Sequence, residues 1–289
     1  KYKSITLGNF QSVSRALGLQ LTVSSLDSSR LHWTPTFETS QADASKVLRH
    51  AKKRKWIEDD DSERLLAKRI SDHVQKHGTP SLLRTGLNAN ADVPDWYLIA
   101  WKAQVTWLAQ ERASLLAASY TPLDLDWLPD LVRLSVYKDG PLRAQALLAE
   151  KGIVLVIEPQ ISGMKVDGAA FLIDGIPVIG LTLLRDTIDN FWFTLLHELG
   201  HVVLHYRSGL ASGFFDDVEK QDPDELEVQA DRFAQNLLIP DEVWRRTPAR
   251  ISKTAEPIVR LANALGISPA IIFGRLRMER RKYNIFANK

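Results

Sequence analysis

A chain of 289 residues, 45% hydrophobic and 25% charged, sits at the globular average. That excludes wholesale disorder and collagen-like repeats and leaves room for one large domain or two ordinary ones. Cysteine is absent and the net charge is +2, which excludes a disulfide framework, thiolate metal sites, a cysteine nucleophile and a global polycation.

Any metal must therefore be held by His and carboxylates. No apolar run reaches membrane-spanning length and no signal peptide opens the chain, so a soluble, cytoplasmic protein is expected. Lys1 stands where Met would begin a natural chain, which suggests a fragment.

Val13 to Leu19 reads as a short helix and Thr34-Pro35-Thr36 as linker. Ser40 caps a helix expected to run to Trp56. After the acidic run Asp59-Asp60-Asp61, Ser62 caps a second helix, with Leu65, Leu66, Ile70 and Val74 on one face and Gly78 at its end. Pro80 to Asp92 reads as loop. Pro94 opens a long helix to about Ser119. Its tryptophans 96, 101 and 107, five and six residues apart, fall on differing faces, as for a wide buried surface or a partner interface.

The texture changes near residue 125, where we place a domain boundary. Pro129 to Val136 reads as a short helix. Asp139-Gly140-Pro141 starts another, which Gly152 stops. Ile153 to Ile157 is a β-branched run and reads as a buried strand. Ala170 to Ile173 and Pro177 to Leu181 read as two further strands, joined by the hairpin signal Asp174-Gly175.

The most informative stretch runs from Asp189, a candidate N-cap, to Tyr206. It is apolar on most sides, hence a buried helix, and it contains His197-Glu198-Leu199-Gly200-His201. Helical residues four apart share a face, so both imidazoles reach one ion, with bonds of about 2.0–2.1 Å for zinc. Glu198 lies beside that face, close enough to handle water without being a ligand. This is the arrangement of a metal-assisted hydrolase with a carboxylate general base. The competing reading is a hydrogen-bonded pair of core histidines.

Two histidines do not complete a site. His205 continues the four-residue series, but each step advances about 6 Å, which puts it about 12 Å from His197 and out of reach of the same ion. It suits a supporting role behind a ligand. Position 207 is Arg, which excludes the metzincin pattern. The third ligand is expected from another helix. Asp222-Pro223-Asp224-Glu225 is a capped helix start that occupies Glu225 locally. Glu227 follows, further around that helix, and is the expected third ligand. Asp231, one turn on, can orient a ligand imidazole. A merely solvated acidic face is the alternative for both residues.

Several stretches together resemble the ImmA/IrrE family of metallopeptidases, gluzincin-like in their HExxH…ExxAD pattern. They are Trp192 and Phe193 leading into Thr194 to His201, the apolar continuation to His205, Glu227-x-x-Ala230-Asp231-x-Phe233-Ala234, and Leu238-Ile239-Pro240. Asp167-Gly168 and the hairpin match the usual lead-in. Ile258 to Tyr283 is similar to versions in HigA-like antidote or regulator proteins. The resemblance covers about residues 128–289.

The resemblance implies an α+β, mostly helical, zincin-like peptidase domain with a small β-sheet beside the HExxH helix. In it His197, His201 and Glu227 would bind one Zn2+ per chain, and Glu198 would activate water. Tyr206 and His205 are candidates for stabilising the oxyanion. Members often cut a DNA-binding repressor in stress responses or toxin–antitoxin systems, and many carry an N-terminal helix-turn-helix. Three regions follow. Residues 1–35 would be the remnant of such a domain plus linker, able to bring DNA as a partner in the complete protein; 36–125 would be a helical domain of unknown role; and 126–289 would be the peptidase domain. The expected partner is a protein substrate, a helix-turn-helix repressor or an antitoxin, with no membrane involved. Gln229 departs from the Glu of many relatives. The rival reading is a catalytically silent transcriptional regulator or antitoxin-type binding protein that uses the fold as a sensor or scaffold. A zinc hydrolase acting on non-peptide amides is a second enzymatic alternative.

Three weaker signals remain. His73 and His77 are also four apart but lack the adjacent carboxylate, which favours a solvated face. Lys52-Lys53-Arg54-Lys55 precedes the acidic run, which favours a solvated helix end over a nucleic-acid contact. Leu261 to Pro269 reads as helix, turn, helix, with five basic residues beyond. Its second helix opens on apolar Ala270-Ile271-Ile272-Phe273, which favours a packing element over a DNA reader.

Overall fold

The computed structural model describes residues 41–58, 63–77, 96–114, 116–206 and 223–282. The expected helix Val13–Leu19, the linker at Pro35, the loop from Pro80 to Asp92 and the caps Ser40, Ser62 and Asp222 lie outside them. The chain divides into two compact units. The first comprises 1–80, 88–104 and 161–164; the second comprises 81–87, 105–160 and 165–289. The described residues are mostly helical with one three-stranded sheet, an α+β protein. Among them, no helix is long and apolar enough to cross a membrane.

The first unit contains α1 (Gln41–Lys53), α2 (Glu63–His77) and the start of α3 (Trp96–Ala113). Val47, Ala51, Leu66, Ile70, Ile99 and Trp101 are buried. Helix α1 stops at Lys53, three residues before the expected Trp56, because Lys55 turns to a left-handed φ of 57° and Trp56 N–H closes back onto Ala51. The Lys52–Lys55 cluster lies on that turn, with Lys53, Arg54 and Lys55 exposed.

Helix α3 also ends early, at Ala113 rather than near Ser119. The Ser114 hydroxyl donates to the Glu111 carbonyl. Beyond it, the backbone of residues 118–120 lies so close to Gly152 that a Cβ there would collide with it. Trp101 is fully buried, whereas Trp107 is 51% exposed, so the α3 tryptophans do not form one surface.

In the second unit, α4 (Leu128–Arg133) runs into a 3-10 turn and α5 (Gly140–Glu150) follows. The Gly140-Pro141 start is as expected, but the Asp139 carboxylate accepts from Arg143 instead of capping the helix. Strand β1 (Val154–Ile157) pairs in parallel with β3 (Ile176–Leu181), and β3 pairs antiparallel with β2 (Gly168–Ile173). Asp174 and Gly175 both take positive φ, 50° and 82°, the signature of a two-residue hairpin turn. The sheet order is β1-β3-β2, which leaves β2 at an edge.

Helix α6 (Ile188–His205) packs on β2 and β3, with α7 (Pro223–Leu238) along one side and α10 (Pro269–Arg280) along another. Short α8 (Asp241–Arg246) and α9 (Glu256–Leu265) complete the unit. Its core centres on α6: Trp192, Leu195, Leu196, Leu199 and Val202 are fully buried among Leu131, Leu148, Ile179, Ala234 and Ile272.

Thr187 is the N-cap of α6, not Asp189. Asp189 faces Arg277 of α10 at 3.5 Å, so a tertiary ion pair has taken the side chain that local pattern assigns to capping. The α9–α10 turn forms on Gly266, and the Ser268 hydroxyl accepts from Ala270 N–H. Ile271, Ile272, Phe273 and Leu276 of α10 are buried. Its arginines turn inward: Arg275 donates to the carbonyls of Gln235 and Ile239, and Arg280 to those of Arg250 and Ser252. The burial of the first turns of α10 and the bonds of Arg275 and Arg280 agree with a packing element.

Candidate metal centre

Helices α6 and α7 run antiparallel, so 197 meets 231 and 201 meets 227. Their close approach rests on small residues. A Cβ on Gly200 would stand 3.1 Å from Ala230 Cα, so any side chain there requires the two helices to give by a few tenths of an ångström. Leu226, Ala230 and Ala234 bury the inner face of α7, and this rotation turns Glu227 toward α6.

At this contact His197, His201 and Glu227 converge. The two Nε2 atoms are 3.1 Å apart. Glu227 Oε2 is 3.2 Å from His197 Nε2, and Glu227 Oε1 is 3.5 Å from His201 Nε2. A tetrahedral ion with bonds of about 2.0–2.1 Å has ligand atoms about 3.3 Å apart, so the spacing of the two imidazole nitrogens, and of each from one of the two Glu227 oxygens, suits a single ion among them. Glu227 Oε1 is buried without a hydrogen-bond partner, a cost that a cation at the centre of the group would relieve. The donors fit a metal. Among the described residues no other group of three His, Cys, Asp or Glu converges in this way. His73 lies on α2, and the side chain of His77 lies outside the described residues.

Asp231 Oδ1 accepts from His197 Nδ1 at 2.9 Å, which leaves Nε2 to face the centre. The other flank of His197 packs against Phe193, ring centroids 6.2 Å apart. His205, 2% exposed, is 3.2 Å from His201 Nδ1 through its own Nδ1 and touches Gln229 Oε1 through Nε2. It thus sits behind His201, outside the converging group. Tyr206, the other oxyanion candidate, donates its hydroxyl to the Gly175 carbonyl. These are the bonds that the two oxyanion candidates make in this structure.

Glu198 is 1% exposed and lies under the start of β2. Its Oε1 has no hydrogen-bond partner. Burial pushes its pKa up to about 8; the His197 charge opposes this, and Glu227 and Asp167 add to it. For His197 burial works against the charged form, but Asp231 and Glu227 outweigh it and hold the pKa at about 10. Burial, with His197 and His205 beside it, brings His201 down to about 3. In the metal-free site His197 is therefore the cationic member at neutral pH. A metal must displace its proton, so affinity rises with pH up to about 10.

The sequence offered Gly168 and Phe193 only as parts of the family pattern, with no place at the site, and gave no direct sign of the partnership of Gln229 with His205. Gly168 has a specific reason to be glycine, since a Cβ there would lie 2.9 Å from Glu198 Oε1. Gly168→Ala is expected to fold, because the nearest atom it meets ends a side chain and the next, Glu198 Cγ at 3.0 Å and the Gly180 carbonyl oxygen at 3.1 Å, need give by only a few tenths of an ångström. It is expected to displace the Glu198 carboxyl and to lower turnover about 100-fold, the typical cost of a misplacement near 1 Å. Wild-type turnover in a correctly folded Gly168→Ala protein would show that Glu198 does not act from this position. A buried histidine as isolated as His205 needs a polar partner, and that was the available signal for Gln229.

No curated protein matches the chain. Residues 149–277, which hold the sheet, the two histidines, Glu198 and Glu227, match the family model described as the IrrE N-terminal-like domain, Peptidase_M78.

Proposed function

We propose that the chain is a zinc-dependent endopeptidase of regulatory type. The observation that carries this reading is the convergence of His197 Nε2, His201 Nε2 and the Glu227 carboxylate, with the buried carboxyl of Glu198 on the residue after His197. The donor set of two imidazoles and one carboxylate suits zinc. Bound there, zinc supplies Lewis acidity toward a substrate carbonyl and toward water.

The chain's own residues supply the rest. His197 and His201 present their Nε2 atoms, and Asp231 holds the His197 ring. Glu198 takes a proton from the attacking water. Its protonated form, favoured by burial, then delivers that proton to the leaving amine. Repressor-type and antitoxin substrates are proposed from the family resemblance, as is a cytoplasmic setting.

The test is incubation of zinc-loaded protein with a panel of helix-turn-helix repressors and antitoxins, scored by mass spectrometry for new termini. The expected result is discrete cleavage that a chelator stops. Hydrolysis of non-peptide amides alone, or intact proteins throughout, would overturn the reading.

A further inference from the structure

The hydrolytic step leaves one buried imidazole unused, that of His205. Its surroundings define where its proton sits. Gln229 Nε2 donates to Glu225 Oε1 at 3.4 Å, which turns the amide oxygen toward His205. That oxygen, 3.1 Å from His205 Nε2, can only accept. His205 Nε2 therefore carries the hydrogen, and in a neutral imidazole Nδ1 is then a lone pair. His201 Nδ1 faces that lone pair at 3.2 Å and must donate to it. The remaining nitrogen of His201, Nε2, is left as a lone pair at the centre shared with His197 and Glu227.

We propose that Glu225, Gln229 and His205 form a relay that fixes the tautomer of His201, making Gln229 and His205 positioning residues for its metal-facing nitrogen. The proposal rests on His201 being a ligand, as the function above requires. His197 has its own device in Asp231. The two ligand imidazoles are thus oriented by chemically different partners, a carboxylate for one and a neutral His–amide chain for the other. A carboxylate brings a charge to the site, whereas the neutral chain fixes a proton position without adding one.

Two readouts test the relay. Long-range 15N–1H correlation spectra of the zinc-free protein report the imidazole tautomers. Wild type is expected to show Nδ1–H at His201 and Nε2–H at His205. Competition with a zinc chelator reports affinity. Gln229→Leu is expected to mix the His201 tautomers and to weaken zinc binding about 10- to 100-fold. Gln229→Glu, which keeps an acceptor oxygen, is expected to retain wild-type tautomers and affinity. In a His205→Phe background Gln229→Leu should cost nothing more, because the chain is already cut.

An Nε2–H tautomer at His201 in the zinc-free wild type overturns the relay whether or not any variant folds. So does a Gln229→Leu protein with unchanged tautomer and affinity, or a Gln229→Glu protein as weak as Gln229→Leu. A wild type that takes up no zinc would instead overturn the peptidase reading, and the tautomer spectra would still decide the relay.

Discussion

Glu198→Gln is expected to lower peptide hydrolysis about 100- to 10,000-fold, the range general acid–base catalysis supplies, while leaving metal content at the wild-type level. The side chain is 1% exposed and stands outside the three converging donors, so its replacement removes no ligand. Gln has the shape of Glu but cannot take a proton from water. Because burial already holds the carboxyl near its neutral form, with a pKa of about 8 in the metal-free site, the amide is also a tolerable occupant of that space. The fold should therefore survive. The measurement is kcat/KM beside metal content on the same preparation. Undiminished cleavage would remove Glu198 from the mechanism, and lost metal would mean that the carboxyl helps to hold the ion.

Trp192→Ala is expected to cost about 3–5 kcal/mol, the usual range for truncating a buried Trp. The indole is fully buried on the α6 face opposite the site and fills the space beside Gly140, where an added Cβ would stand 3.2 Å from its ring. Close-packed interiors relax only partly around such a void. At about 2–4 °C per kcal/mol for a unit of this size, the unfolding midpoint should fall by about 6–20 °C. Trp192→Phe should cost much less. It keeps most of the ring and removes an indole N–H that is buried without a hydrogen-bond partner. Calorimetry on the pair decides the point. Equal losses for Phe and Ala would mean that the indole nitrogen, not the packing, matters at this position.

Local signals carried much of the fold. The apolar periodicity of α6, the Asp174-Gly175 turn with both residues at positive φ, and the Gly140-Pro141 start each lie within a few residues of the structure they specify. Glu227 could be singled out because Glu225 was assigned to the helix start and the next acid lay one step around the helix. What local reading could not reach was set by contacts distant in sequence. Asp189 is drawn from capping by Arg277, 88 positions away. Helix α3 ends at Ala113, and the backbone of 118–120 lies against Gly152, a contact 32 or more positions away in sequence. The apolar opening of α10 favoured a packing element, and the structure adds that Arg275 and Arg280 are bound to main-chain carbonyls on other elements. Gln229 looked like a departure from family pattern. Its meaning emerges only when α7 is laid against α6 and its amide meets His205.

The central claim is that two helices bring three donors together to hold one zinc ion. Metal content by mass spectrometry, on wild type beside Glu227→Ala, tests it most directly. The account predicts about one zinc per chain in the wild type and its loss in the variant, since two imidazoles alone do not complete a site. A wild type that remains free of zinc after zinc is supplied and the excess removed would contradict it.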